Sequence, residues 1–188
     1  MTLQADLFGG PAIAGFRSDD AVISAAEEAD LIAGIDGVDL SPFRFQGWLG
    51  KRLTQSFGWA YDFDKGSLRE TKAIPDWLQP IRARAELFAG LGPDTLVQAL
   101  LLRYDPGAGI GWHKDRPVFE DVVGISLGHA ATMRFRRRNG KTFERIAVPL
   151  APRSIYHLSG EVRHSWEHSI APLEVTRWSI TFRSLAAR

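Results

Sequence analysis

The sequence predicts an α+β protein that is mainly β, a double-stranded β-helix (jelly roll) with two N-terminal helices packed outside it. Three observations carry this expectation. From residue 95 onward the chain is a succession of short apolar runs bounded by turn residues, which is strand texture. Ahead of that region, two stretches show the i, i+3, i+4 apolar spacing of amphipathic helices. Asn139-Gly140 is the strongest short-range hairpin signal in the chain. Six or more short antiparallel strands after two helices suit two stacked sheets closed into a roll.

Taken in order, residues 1–17 read as an irregular or weakly paired arm, with Gly9-Gly10-Pro11 breaking any regular element. Ser18-Asp19-Asp20 precedes a helix expected over Ala21 to Ala33, ended by Asp36-Gly37. Residues 43–63 interleave aromatic, glycine and basic residues. That stretch is either a hairpin lid that stacks on a planar substrate or a hairpin whose aromatics pack on the core. A second helix is expected over residues 76–90, with Pro80 in its early turns and Gly90 or Gly92 stopping it. Strands follow over Leu96–Tyr104, Val122–Leu127, Ala131–Arg138, Lys141–Leu150, Ser154–Leu158 and Arg177–Leu185. The organisation expected is one domain: arm and helix over 1–42, lid over 43–63, roll over 95–188.

At 188 residues, 45% hydrophobic and 24% charged, the chain has ordinary globular composition. It has no cysteine, which excludes disulfides, iron–sulfur clusters, thiolate zinc sites and a cysteine nucleophile. The first residues lack a basic and then apolar leader, and no apolar run reaches the roughly 18 residues that cross a membrane, so a cytoplasmic location is expected. Residues 1–94 carry a net charge of −5 and residues 95–188 a net of +6. The basic half suits an anionic ligand.

The chemistry-bearing stretch lies in that basic half. A strand ending at Tyr104 is followed by Asp105-Pro-Gly107 and then by His113-Lys-Asp115. On an extended strand, residues two apart project to one face, which would offer an imidazole and a carboxylate together. A third ligand would come from Arg163-His-Ser-Trp-Glu-His-Ser169, where spacing alone leaves His164 and His168 both open. Two histidines and one carboxylate around an open metal face suit a non-haem Fe(II) oxygenase. His157, in a buried-strand sequence, reads as a core or supporting residue, and His129 as a turn residue. In the last strand Arg177, Ser179, Thr181 and Arg183 share one face, while Trp178, Ile180 and Phe182 share the other. Two arginines about 20 Å apart suit either a solvated face or an inward row holding a dicarboxylate.

Together these motifs resemble the AlkB family of Fe(II)/2-oxoglutarate dioxygenases over about residues 96–185. The shared features are Tyr104, Asp105-Pro-Gly107, His113-x-Asp115, Trp-Glu-His168-Ser-Ile-Ala-Pro and Arg177-x-Ser-x-Thr-x-Arg183, in the family's order. Phe57-Gly58-Trp59-Ala60-Tyr61 is similar to its lid-forming region. The resemblance implies Fe(II) held by His113, Asp115 and His168. It implies 2-oxoglutarate bound by Arg177 at the far carboxylate, by Arg183 near the 2-oxo-acid end, and by Tyr104 and Ser179, with dioxygen as oxidant. It further implies oxidative demethylation of N-alkylated bases in DNA or RNA, with Trp48, Phe57, Trp59 and Tyr61 as an aromatic lid. Lys51 and Arg52 would serve phosphates, and the basic hairpin Arg134–Lys141 is either a further phosphate contact or a solvated edge that resists aggregation. The alternative is an oxygenase of the same fold acting on a small molecule or protein side chain. Nucleic acid is the expected partner, with no membrane and no obligate partner protein. Ser179 stands where the family pattern has Asn, Leu102 where some members have Asn, and Arg116-Pro117-Val118 where repair members carry acidic residues.

Overall fold

The computed structural model describes residues 13–45, 48–63 and 65–187, with the side chains of 44, 45, 48 and 49 excepted. Most of the expected arm, residues 1–12, therefore lies outside the described residues, as does the Trp48 side chain. The arm's end is not irregular. Phe16–Asp19 forms strand β1, and a Gly15 φ of 86° turns the chain into it.

Helix α1 covers Ala25–Asp36, later than expected. Ser24, not the 18–20 cluster, is its cap. The Ser24 side chain accepts from the Glu27 backbone N–H, and the Glu27 carboxylate accepts in return from Ser24 N–H. That reciprocal box satisfies two donors a helix start would otherwise leave bare. A short 3₁₀ turn over Asp76–Leu78 leads into helix α2, Gln79–Ala89, where Pro80 sits in the first turn. Gly90, with φ 72°, closes it as expected.

The strands are β2 (Ser41–Phe45), β3 (Trp48–Phe57), β4 (Trp59–Asp62), β5 (Ser67–Glu70), β6 (Gln98–Tyr104) and β7 (Ile110–His113). They continue as β8 (Phe119–Leu127), β9 (Ala131–Asn139), β10 (Thr142–Leu150), β11 (Ile155–Leu158), β12 (Glu167–Ile170) and β13 (Arg177–Leu185), with a short helix α3 (Gly160–Ser165) between β11 and β12. A seven-stranded sheet runs β1-β11-β8-β13-β6-β3-β2, and a four-stranded sheet runs β10-β9-β12-β7. Every pairing is antiparallel. Gly140, with φ 58°, opens the two-residue loop between paired Asn139 and Thr142, as a glycine-first hairpin requires.

Helices α1 and α2 cover one face of the large sheet. Leu31, Ile35, Leu78 and Ile81 meet Leu101, Val123, Ile125, Ile180 and Phe182 there. The other face looks toward the small sheet, across a second cluster that includes Val122, Met133, Phe135, Tyr156 and Ile170. This layering decides the question left open for β13. Its apolar row belongs under the helices, so its polar row points between the sheets, with Arg177, Ser179 and Thr181 buried and Arg183 half-buried at the cavity.

The stretch 43–63 is two structures. β2 and β3 form a hairpin whose second strand joins the large sheet beside β6, whereas β4 pairs with β5 in a separate two-stranded ladder. Gly58 links them at φ 73°, where a Cβ would lie 2.0 Å from the Val97 carbonyl oxygen. Phe57, expected on the substrate side, is buried in the helix-side core. Burying it there contributes about 2 kcal/mol that a wet lid position would forfeit. Alternation along β3 sends Arg52, Thr54 and Ser56 the opposite way, toward the space between the sheets.

Candidate functional site

Three side chains converge at the open end of the roll. β7 and β12 pair so that His113 and His168 face each other, their ring centroids 4.3 Å apart. β7 ends at His113, so Asp115 arrives from the loop beyond and not by strand alternation. Even so, one ligand atom from each of His113, Asp115 and His168 lies within 4.8 Å of the others, a set that could hold a metal ion. His113 Nδ1 is 2.9 Å from the Gly111 carbonyl oxygen. That oxygen only accepts, so Nδ1 carries the proton and Nε2 keeps its lone pair for a metal. His164 is elsewhere, exposed on α3 and 2.9 Å from Glu120.

Arginines fix the carboxylate. Arg183 approaches Asp115 Oδ1 at 2.6 Å through Nη2 and 2.9 Å through Nε, and donates to Gln98 as well. Its fork is spent on the candidate ligand, whereas the sequence pointed to the co-substrate's 2-oxo-acid end. Arg163, buried on α3, donates to the carbonyls of Asp115, Arg116 and Phe119 and pins the loop that carries Asp115. Burial alone would raise the Asp115 pKa, but Arg183, His168 and His113 outweigh it and hold the carboxyl well below its usual range. Burial, with His113 beside it, pushes His168 down to about 3, and burial also lowers His113. Two neutral imidazoles and one carboxylate are the protonation states that binding a divalent cation needs.

These shifts set an acid limit. The unfolded chain takes up protons on histidine below its ordinary value of 6.5, whereas folded His168 resists until about 3. The stability present above 6.5 is therefore lost as pH falls through that window, and Asp115 adds a loss of the same sign below its ordinary 3.8. The metal-free protein is expected to unfold at markedly lower urea at about pH 5 than at about pH 7, and His168→Asn is expected to flatten that dependence. An unchanged urea midpoint across this range would refute it.

Deeper between the sheets, Arg177 is 1% exposed. Its Nη2 donates to Ser126 Oγ at 2.9 Å, its guanidinium sits 5.4 Å from the Tyr104 ring centroid, and Nε and Nη1 have no partner. Tyr104, Ser179 and Ser126 are buried around it. A buried guanidinium with two unsatisfied donors is a receptor for a carboxylate, so the residues fit an acidic co-substrate as well as a metal. Ser126 and Tyr156 were missed in the sequence. The available signal was Gly124-Ile-Ser126, small residues inside a Val/Ile/Leu run. A Cβ on Gly124 would lie 2.1 Å from the Tyr156 ring, so only glycine admits that ring.

A cavity of about 600 Å³ opens from His113 and Asp115. Phe43, Tyr61 and Phe63 form one wall, with edge-to-face contacts of 5.2 Å (Phe43–Phe63) and 5.1 Å (Tyr61–Phe63). Tyr61 and Arg52 line it as the sequence suggested. Trp59 and Lys51 do not, and Lys51 is exposed. The basic hairpin β9–β10 is largely engaged in its own contacts. Arg136 pairs with Glu167 and lies over Trp112 and Phe143, and Arg137 pairs with Glu144 and Glu161. His157 Nε2 donates to Asp121 Oδ1 at 2.9 Å in the interior, as a supporting residue would.

Comparison with known proteins agrees with this architecture. A mouse protein named tRNA (carboxymethyluridine(34)-5-O)-methyltransferase ALKBH8 is 30% identical over 160 residues, 80% of this chain but 23% of its own length. An Arabidopsis thaliana protein named alkylated DNA repair protein ALKBH8 homolog is 29% identical over 174 residues, 79% of this chain and 48% of its own. The chain thus spans less than half the length of these relatives. The solved structure of OsALKBH1 superposes with a TM-score of 0.68 at 18% identity, covering 90% of this chain and 96% of that one. A Pseudomonas putida prolyl-4-hydroxylase gives 0.64 at 16%, covering 92% and 93%, so the likeness to both structures is one of fold. No helix among the described residues is long and apolar enough to cross a membrane. The 2OG-Fe(II) oxygenase profile matches residues 47–183, and with the jelly roll and the His-Asp-His cluster already in place, the chain belongs to the 2OG-Fe(II) oxygenase superfamily and is AlkB-like within it.

Proposed function

We propose that this oxygenase removes N-alkyl groups from nucleobases of DNA or RNA. The observation that carries the reading is the cavity of about 600 Å³ that opens directly from His113 and Asp115 under an aromatic wall, which suits one base taken out of its stack. The names of the mouse and Arabidopsis relatives, one a tRNA enzyme and the other an alkylated-DNA repair protein, support it. His113, Asp115 and His168 would hold Fe(II), and Arg177 with Tyr104, Ser179 and Ser126 would hold 2-oxoglutarate.

Bound iron with 2-oxoglutarate and dioxygen supplies oxidation of a C–H bond, the co-substrate leaving as succinate and carbon dioxide. The chain's own residues do the rest. Arg177 neutralises the far carboxylate in a dry site, where the contact is strongest. Arg183 and Arg163 keep Asp115 ionised and aimed. Phe43, Tyr61 and Phe63 shield the base from water. An N-methyl group hydroxylated there collapses to formaldehyde and the free amine.

The test is anaerobic loading with Fe(II) and 2-oxoglutarate, then oxygen, with succinate and formaldehyde measured against oligonucleotides carrying 1-methyladenine, 3-methylcytosine or 3-methyluracil. Formaldehyde released in proportion to succinate from any of them is the expected result. Succinate that no oligonucleotide stimulates would overturn the nucleobase reading.

A further inference from the structure

Four cations face the substrate cavity, namely Arg52, Lys114, Arg116 and Arg183, and Asp115 is the one carboxylate among the described residues that line it. That carboxylate is taken by Arg183. Lys114 donates to the His164 carbonyl at 2.9 Å, and Arg116 lies over the Tyr61 and Phe63 rings at 4.8 and 5.0 Å. Arg52, like Arg116, lies over an aromatic ring, but it alone of the four has a buried nitrogen with no hydrogen-bond partner. Its guanidinium sits 3.8 Å from the Phe43 ring centroid, its Nε is buried with no partner, and no carboxylate among the described residues pairs with it. Burial pulls its pKa down, Tyr104 opposes this, and the neighbouring Arg183 adds to the fall. A guanidinium stays charged regardless, so among the described residues of the cavity wall this positive charge has no carboxylate partner.

A charge of that kind costs stability in the empty protein and is retained where a ligand completes it. It also acts against the wrong ligand. A base made cationic by ring methylation would enter a space already lined by like charge, where the one carboxylate among the described lining residues, Asp115, is held by Arg183. We propose that Arg52 is a specificity-determining residue that binds an anionic oxygen group of the substrate, a carboxylate or a phosphate, so that the cavity takes neutral or anionic nucleobases and turns away cationic alkylated ones. The inference rests on the nucleobase reading above.

The test uses a charge series on one ring: 3-methylcytosine (cationic), cytosine (neutral) and 5-carboxycytosine (anionic), each as nucleoside and as the centre of a pentanucleotide, with phenylacetate as an anion lacking a base. Affinity for the anaerobic Fe(II)/2-oxoglutarate holoenzyme is read by tryptophan quenching, since Trp112 lines the cavity. Wild type, Arg52→Gln and Arg52→Lys are compared, each checked for an unaltered melting curve. Wild type is expected to prefer 5-carboxycytosine over 3-methylcytosine by about tenfold or more. Arg52→Gln should abolish that preference, and Arg52→Lys, which keeps the charge without the fork, should reduce it. The same Arg52 dependence in the nucleosides identifies a carboxylate on the base as the anion. Dependence seen only in pentanucleotides, with 3-methylcytosine still the weakest binder, identifies the phosphate. Tightest binding by 3-methylcytosine, or affinities that Arg52→Gln leaves unchanged or alters only for 2-oxoglutarate, would overturn the proposal. Arg52-dependent binding of phenylacetate with no binding of the cytosine series would keep the anion site and remove the nucleobase reading.

Discussion

Arg177→Met is expected to abolish 2-oxoglutarate-dependent turnover while leaving the ligand-free protein as stable as wild type or more so. The two effects have one cause. Arg177 is enclosed between the sheets with a single hydrogen bond, to Ser126, and two donors unpaired. In the empty protein this is a buried charge without a counter-charge, and a well-packed apolar side chain of similar volume removes the cost. With 2-oxoglutarate bound, the same group is half of a buried ion pair, and removing one partner costs about 3–5 kcal/mol. That corresponds to a loss of affinity on the order of 10²- to 10⁴-fold. Succinate formation and thermal melts with and without 2-oxoglutarate check both halves. A variant that melts far below wild type without ligand would show that Arg177 serves the fold, and turnover at the wild-type rate would remove it from the co-substrate site.

His168→Ala is expected to leave the chain without stoichiometric iron and without turnover, while His164→Ala keeps both. The two histidines lie in one short segment, and the structure separates them by element. His168 is on β12, ring to ring with His113, whereas His164 is on the exposed side of α3 and bonded to Glu120. Removing an imidazole from a three-ligand set leaves two protein donors, too few for a stable open metal face. Anaerobic iron titration followed by metal analysis after desalting reads the result. Iron retained at one per chain by His168→Ala, or lost from His164→Ala, would reverse the assignment.

The large-scale pattern was legible in the sequence because it depends on alternation and turn chemistry. The run Val122–Leu127 and the two-faced strand Arg177–Arg183 appear as read, and the hairpin expected at Asn139-Gly140 forms one residue later, with Gly140 and Lys141 as its loop. What alternation cannot supply is which face of a strand is covered. For β13 the answer comes from α1 and α2, distant in sequence, which claim Ile180 and Phe182 and leave the arginine row inside. Phe57 was misread for a related reason, since an aromatic side chain has the same composition in a lid and in a core. Alternation from Arg52 would have separated them, with Arg52, Thr54 and Ser56 facing the cavity and Phe57 facing the helices. Asp115 was found for the wrong reason, because a loop pinned by Arg163 and not a strand delivers it. The short elements β7, α3 and β12 leave too few residues for any periodicity to show, and contacts such as Arg177 with Ser126 depend on pairing across 51 positions.

The ladder β4–β5 belongs to neither large sheet, yet it carries Tyr61 into the cavity wall. A two-stranded ladder that follows β3 through Gly58 has few neighbours to hold it, so its amide protons should exchange with solvent by opening locally. Those of β6, β8 and β13, at the centre of the seven-stranded sheet, should wait for the whole molecule to unfold. The wall around an incoming ligand can therefore breathe at little expense to the layer that holds Arg177. A bound ligand should register first as slowed exchange over Trp59–Glu70.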